Sequence, residues 1–252
     1  MKAFGDIKHI AYVGIDALML YFKGDTLDEA NRACIRWNRA LANYRPLEQE
    51  QQSWLVECVP SYDSLLVVFN YQQIDSHGVY RALLDIHQEI EKEKQQEDNC
   101  ASGDESSSVL RSDTVAIPVW YGAPQASDLL AVSKKTGLTT EEIIALHTSV
   151  TYRVYAVGFA PGFAYMGEIP TALQCGRLST PRKRVPKGAV AIADRQTAVY
   201  PSESPGGWNL LGLTPLNMVS HTQQGSTSRL ATGTDVTFYA ISEEEFRAYN
   251  ES

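Results

Sequence analysis

The sequence predicts an α+β protein in two parts, an N-terminal two-layer α/β sandwich followed by a β-barrel. Three observations carry this expectation. Short apolar runs alternate with two long amphipathic stretches over residues 1–95, a charge-dense polar segment fills residues 96–113, and many short strand-like segments separated by glycine and proline follow from residue 114. Helices laid on an antiparallel sheet produce the first pattern, and barrels of short strands with dense turns produce the last.

Ile7 to Val13 and Ala17 to Phe22 read as a hairpin-like strand pair broken at Gly14-Ile15-Asp16. Leu27 to Tyr44 reads as a helix because Ala30, Cys34, Trp37 and Leu41 recur on one face at three- and four-residue spacing. Trp54 to Val59 and Ser64 to Phe69 are two further strands around the turn Pro60-Ser61-Tyr62-Asp63. Ile74 to Glu93 is a second amphipathic helix with Val79, Leu83, Ile86 and Ile90 as its stripe. From Glu91 to Asp113 almost no apolar residue remains, so burial cannot offset the entropy of ordering and a flexible linker is expected. The expected borders are therefore 1–95 for the sandwich, 96–113 for the linker and 114–252 for the barrel.

Val115 to Tyr121 reopens the chain as a strand. Ser127 to Thr136 is a short helix ending on Lys134 and Lys135, with Gly137 where a left-handed cap belongs. Thr139 and Glu142 form a capping-box pattern for another helix that ends near His147. The remaining strands are Tyr152 to Val157, Ala189 to Ala193, Thr197 to Tyr200, Trp208 to Leu211, Leu216 to Val219 and Asp235 to Ile241.

Composition narrows the functions. A net charge of −8 and a pI near 5.2 oppose broad binding to nucleic acid or anionic lipid. No apolar run approaches the roughly 20 residues of a membrane helix and no secretory leader is visible at Met1-Lys2-Ala3-Phe4, so a cytoplasmic location is expected. Cys34, Cys58, Cys100 and Cys175 are dispersed, as are the five histidines, and no metal is expected. Glycine-rich phosphate loops and nucleophile elbows are missing from the sequence.

The chemistry-bearing residues concentrate between Gly158 and Pro215. Gly158-Phe159-Ala160-Pro161-Gly162-Phe163-Ala164-Tyr165-Met166-Gly167 follows a strand directly, and reads either as a pocket wall of rigid aromatics or as a packed barrel corner. From Arg177 to Arg195, six basic residues face the single acid Asp194, inside an acidic protein. Such a basic loop suits an anionic ligand, a solvated surface or an acidic partner. Gln196-Thr197 leads to Tyr200-Pro201-Ser202-Glu203-Ser204-Pro205-Gly206-Gly207-Trp208, where Ser204 to Gly207 suits a tight loop with converging N–H groups or an ordinary turn. His147, at a helix end, reads as a capping or core residue or as a catalyst.

Taken in order and spacing, these three blocks resemble the kinase-inhibitor/allophanate-hydrolase-subunit-1 family. So do Leu146-His147, Tyr152-Arg153-Val154-Tyr155, Gly14-x-x-Ala17-Leu18 and Val59-Pro60-Ser61-Tyr62-x-Ser64-Leu65-Leu66-Val67, and the likeness spans the chain apart from the linker. The sequence departs from the pattern at Asp194-Arg195, Lys187 and Thr232-Gly233-Thr234-Asp235. The resemblance implies a cyclophilin-like barrel behind the N-terminal sandwich. It also implies a subunit of ATP-dependent 5-oxoprolinase, which opens 5-oxo-L-proline to L-glutamate with ATP as co-substrate and no tightly bound cofactor. The implied partners are the other two 5-oxoprolinase components, C in direct contact and A within the same complex. Within that role His147, Arg182, Tyr200 and Ser204 are the expected catalytic residues, Arg182 gripping the anion. Phe159, Pro161, Gly162, Phe163, Tyr165, Gln196, Thr197, Gly206, Gly207 and Trp208 are expected to bind substrate. The alternative within the family is inhibition of a sensor histidine kinase's autophosphorylation.

Overall fold

The computed structural model describes residues 1–44, 54–100, 114–222 and 225–251, apart from the side chains of 97–100, 221–222 and 250–251. The chain divides into two compact units, Met1–Arg111 and Ser112–Ser252.

In the first unit β1 (Ile7–Tyr12), β2 (Ala17–Phe22), β3 (Leu55–Ser61) and β4 (Ser64–Phe69) form an antiparallel sheet in the order β1-β2-β4-β3. β3 runs on through Pro60 because it is an edge strand, where a missing N–H is tolerated. The β3–β4 turn is accordingly only Tyr62-Asp63, with Tyr62 at φ 50. Helix α1 (Leu27–Asn43) opens on a capping box, in which Thr26 Oγ1 accepts from the Glu29 N–H and Glu29 accepts from the Thr26 N–H. Ala30, Cys34, Trp37 and Leu41 of α1, and Val79, Leu83, Ile86 and Ile90 of α2 (Ser76–Cys100), all lie in the core that covers Leu18, Leu20, Leu65 and Val67. Each fully buried Leu or Ile on these stripes contributes roughly 1.5–3 kcal/mol.

Helix α2 corrects the expected border. It continues through the charged run to Cys100, seven residues past Glu93. Glu, Lys and Gln are strong helix formers, and Lys94 is tied both to Glu91 at 2.9 Å and to Asp6 at 3.0 Å. A polar composition removed the reason to pack but not the propensity to coil. The rest of the expected linker, residues 101–113, lies outside the described residues.

The second unit contains β5 (Val115–Tyr121), α3 (Leu129–Thr136), α4 (Thr140–Thr148), β6 (Tyr152–Val157), β7 (Ala164–Gly167), β8 (Arg182–Val185), β9 (Ala189–Ala193) and β10 (Gln196–Val199). β11 (Ser204–Gly206), β12 (Asn209–Leu213), β13 (Val219–Thr222), β14 (Gly225–Ser228), β15 (Asp235–Ala240) and α5 (Glu243–Glu251) follow. Seven strands close a barrel in the order β10-β7-β6-β15-β5-β12-β9, with β9 pairing back to β10. β5 and β15 pair in parallel. The caps on the helices are those expected: Gly137 at φ 78 ends α3, and Thr139 with Glu142 opens α4.

Two differences bear on function. Arg182–Val185 and Ser204–Gly206, expected as loop and tight turn, pair as the β8–β11 ribbon, Ser204 opposite Val185 and Gly206 opposite Arg182. A two-stranded ribbon needs only one ladder edge per strand, so Pro205 fits, and strand pairing takes the place of both sequence-based readings of Ser204 to Gly207, a loop with converging N–H groups or an ordinary turn. Helix α5 is absent from the sequence-based expectation, although Ser242 and Glu245 cap it reciprocally.

Candidate functional site

Five aromatic rings meet on the second unit around Phe163. Phe159, Tyr165, Tyr200 and Trp208 lie 5.2, 4.9, 5.3 and 5.9 Å from it, ring centre to ring centre, all close to edge-on. This is the favoured arrangement of aromatic quadrupoles. The loop between β6 and β7 sets it up: the Gly158 N–H donates to the Phe163 carbonyl and the Phe163 N–H to the Ala160 carbonyl, both at 3.0 Å. Gly162 turns this loop at φ 80, where a Cβ would lie 2.3 Å from Val219 Cγ2. Phe159 also has positive φ, at 71, and the residue stays 65% exposed beside the buried Phe163. For a bulky side chain that backbone is strained, and such strain concentrates at functional sites.

Tyr200 is buried beneath the β11 strand, so close that a Cβ on Gly206 would stand 2.2 Å from its hydroxyl. Burial raises its phenol pKa. A hydrogen bond from the Trp208 backbone and the charges of Arg177 and Arg182 partly counter this. The phenol therefore stays protonated at neutral pH.

Two arginines flank this aromatic group. Arg182 does not present the free fork expected of it: its Nη2 is paired with Asp128 Oδ1 and its Nη1 donates to the Trp208 carbonyl at 3.3 Å. Asp128 Oδ2 accepts from the Leu210 N–H at 2.7 Å, so one carboxylate ties the start of α3 to β8 and β12. Asp128 accordingly leaves the first turn of α3 without a side-chain cap. Arg177 places its guanidinium 5.9 Å above the Trp208 ring and 3.5 Å from Asp194.

His147 lies elsewhere in the unit. It is fully buried, and its ring packs on Phe238 and Tyr152. Thr197 Oγ1 donates its one proton to the Ala191 carbonyl at 3.1 Å, so it accepts from His147 Nε2 at 2.9 Å. Nδ1 in turn accepts from the Tyr121 hydroxyl at 2.7 Å. The relay is complete and uncharged, and burial lowers the imidazole pKa to about 3. This locks α4 to the barrel wall and keeps His147 neutral.

The structure thus brings together Phe159, Phe163, Tyr165, Arg182, Tyr200, Gly206, Gly207 and Trp208, with Pro161 and Gly162 shaping their loop and Ser204 on the adjoining ribbon. Thr197 and His147 belong to the internal relay, and Gln196 sits at the start of β10 opposite Gly167. Asp128, Arg177, Asn209 and Lys135 are not singled out by sequence. Asp128 falls there within the expected Ser127–Thr136 helix, and Arg177 is one basic residue among six. Among the described residues no three His, Cys, Asp or Glu side chains gather as a metal site, and no helix is long and apolar enough to cross a membrane.

A mixed α+β protein whose second unit closes a seven-stranded barrel, with an aromatic and arginine surface beside it, has the architecture of a carboxyltransferase-type domain. A family profile described as carboxyltransferase domain, subdomain C and D, matches residues 8–228, and the chain belongs to this family, part of the allophanate-hydrolase-subunit group. It is 34% identical over 245 residues to the B component of 5-oxoprolinase from Bacillus subtilis (strain 168), with 96% of each chain covered. Among solved structures, TTHA0988 is 31% identical with a TM-score of 0.68; the match covers 90% of this chain but 40% of that one. The Kluyveromyces lactis urea amidolyase shares the fold at 16% identity and a TM-score of 0.63, over 98% of this chain and 16% of its own.

Proposed function

We propose that this chain is the B component of an ATP-dependent 5-oxoprolinase, working in the cytoplasm with the C component in direct contact and with the A component. The observation that carries the reading is the end-to-end similarity to a relative named as the B component of 5-oxoprolinase. The aromatic and arginine surface, which suits a small anionic ring, supports it.

A lactam amide resists hydrolysis, and ATP supplies the drive. The lactam carbonyl oxygen attacks the γ-phosphorus and ADP leaves. Water adds to the activated carbon and the ring C–N bond breaks, its nitrogen keeping the pair and taking a proton. The resulting acyl phosphate is hydrolysed by a second water to glutamate and phosphate. Positioning and charge stabilisation account for most of such catalysis. In this chain Phe159, Phe163, Tyr165 and Trp208 pack the ring, on a loop shaped by Pro161 and Gly162 and a ribbon kept thin by Gly206 and Gly207. Ser204 and Gln196 orient its polar edge. Tyr200 and Arg182 act as positioning residues on Trp208, whereas His147 and Thr197 brace the barrel wall through their internal relay.

The test is reconstitution. With the A and C components added, 5-oxo-L-proline should stimulate ATP hydrolysis and release glutamate, and omission of any one component should abolish glutamate. A complete complex that hydrolyses no ATP in response to 5-oxo-L-proline overturns the reading. The exposed Phe159, next to a ribbon carrying exposed Lys183 and Arg184, favours the kinase-inhibitor alternative in that event, and recovery of a sensor kinase in a pulldown would establish it.

A further inference from the structure

The two arginines beside the aromatic group are held in opposite ways. Arg182 is fixed at its tip: the guanidinium pairs with Asp128 and bonds the Trp208 carbonyl, with 30% of the side chain exposed. Arg177 is fixed at its base. The Gly176 carbonyl before it accepts from Asn209 Nδ2 at 3.1 Å and from Lys135 Nζ at 3.3 Å, and the Leu178 N–H after it donates to the Gly207 carbonyl at 2.7 Å. Asn209 is itself fully buried, its Oδ1 taking the Lys135 ammonium at 2.7 Å and its Nδ2 also reaching the Ile192 carbonyl at 3.3 Å. The Asn209 side chain thus holds the backbone before this exposed cation, and the Gly207 carbonyl holds it after.

The tip of Arg177 is free to exchange partners. Its side chain is 59% exposed and Asp194, 3.5 Å away, is 62% exposed, so their ion pair is screened by water and contributes little. The guanidinium carbon lies 5.9 Å over the Trp208 ring centre, within cation–π range, which favours keeping the charge beside the aromatic group. A planar fork on a rigid base, beside an apolar wall, is what a small carboxylate needs for bidentate recognition.

We infer that Arg177, rather than Arg182, grips the carboxylate of the anionic ligand, with Asp194 as the resting counter-ion that the ligand displaces. The ligand's identity as 5-oxo-L-proline rests on the proposed function, whereas the role of Arg177 as a carboxylate receptor rests on the geometry.

Two measurements separate these claims. In the reconstituted complex, Arg177→Ala should raise KM for 5-oxo-L-proline by about tenfold or more with kcat changed by less than about threefold, the signature of lost ground-state binding. Arg177→Lys should recover part of the loss, and Asp194→Asn should lower KM. Independently, phenylglyoxal labelling of the full chain, mapped by mass spectrometry, should modify Arg177 faster than Arg182 and be slowed at Arg177 by 5-oxo-L-proline. If the wild-type complex ignores 5-oxo-L-proline but acetate protects Arg177, the carboxylate site stands and the substrate reading falls. If neither 5-oxo-L-proline nor acetate slows labelling at Arg177, or if Arg177→Ala leaves KM unchanged in an active complex, the inference is overturned.

Discussion

Gly206 lets the Tyr200 phenol lie close against the β11 backbone, and a single methyl group there would meet the phenol oxygen at 2.2 Å. Because Tyr200 is buried among Phe163 and its neighbours, it has no room to retreat. Gly206→Ala should therefore cost about 1–3 kcal/mol, the usual range for overpacking, and lower ligand affinity by disturbing Trp208. Urea denaturation checks the first effect, and a loss below about 0.5 kcal/mol would show the site to be softer than it looks. His147 sets an acid limit. Its folded pKa of about 3 lies below the unfolded 6.5, so the unfolded chain binds the extra proton between these values. Its contribution to stability is complete above pH 6.5 and is lost as pH falls toward 3, reaching about 2 kcal/mol by pH 5. Unfolding free energies between pH 7.5 and 5 should show this slope, and His147→Gln should be less stable at pH 7.5 but flatter with pH. The sequence presents His147 as a helix-end residue; its tautomer and its neutrality depend on Tyr121 and Thr197, which no local pattern connects to it.

Asp128 is the joint between three elements. Its carboxylate receives Arg182 of β8 and the Leu210 N–H of β12 while its own residue starts α3, and Arg182 in turn holds the Trp208 carbonyl. Removing Arg182 leaves a mostly buried carboxylate short of its countercharge, so Arg182→Ala should cost about 1–3 kcal/mol. Asp128→Asn should cost a similar amount, and the double variant should fall well short of the sum because both break one network. Thermal denaturation of the three variants gives the coupling directly, and strict additivity would exclude the joint. At this scale the sequence is most readable where one element suffices. The stripes of α1 and α2, the αL cap at Gly137 and the Thr139–Glu142 box follow from local spacing and chemistry. It is least readable at β8 and β11, whose charged, proline-bearing residues become strands only because each supplies the other's ladder.

Each unit closes a core with its own residues: Trp37, Leu65, Val79 and Leu83 in the first, Ile117, Val154, Ile192 and Phe238 in the second. A cavity cut in one core should therefore act mainly on that unit. Leu83→Ala should cost about 2–5 kcal/mol in the unfolding of residues 1–100, read by exchange protection of α2 amides, while β9 and β12 amides keep their protection. Equal loss in both units would show that they unfold as one. The alternation of apolar and polar residues, the helix stripes and the turn residues by themselves determined the α+β class and most strand positions, since these signals arise between neighbours in the chain. Which arginine is engaged and which is available was decided by the tertiary structure alone. Asp128 reaches Arg182 across 54 positions and Lys135 reaches Asn209 across 74, and contacts at such separations exist only once the barrel has closed and brought those strands together.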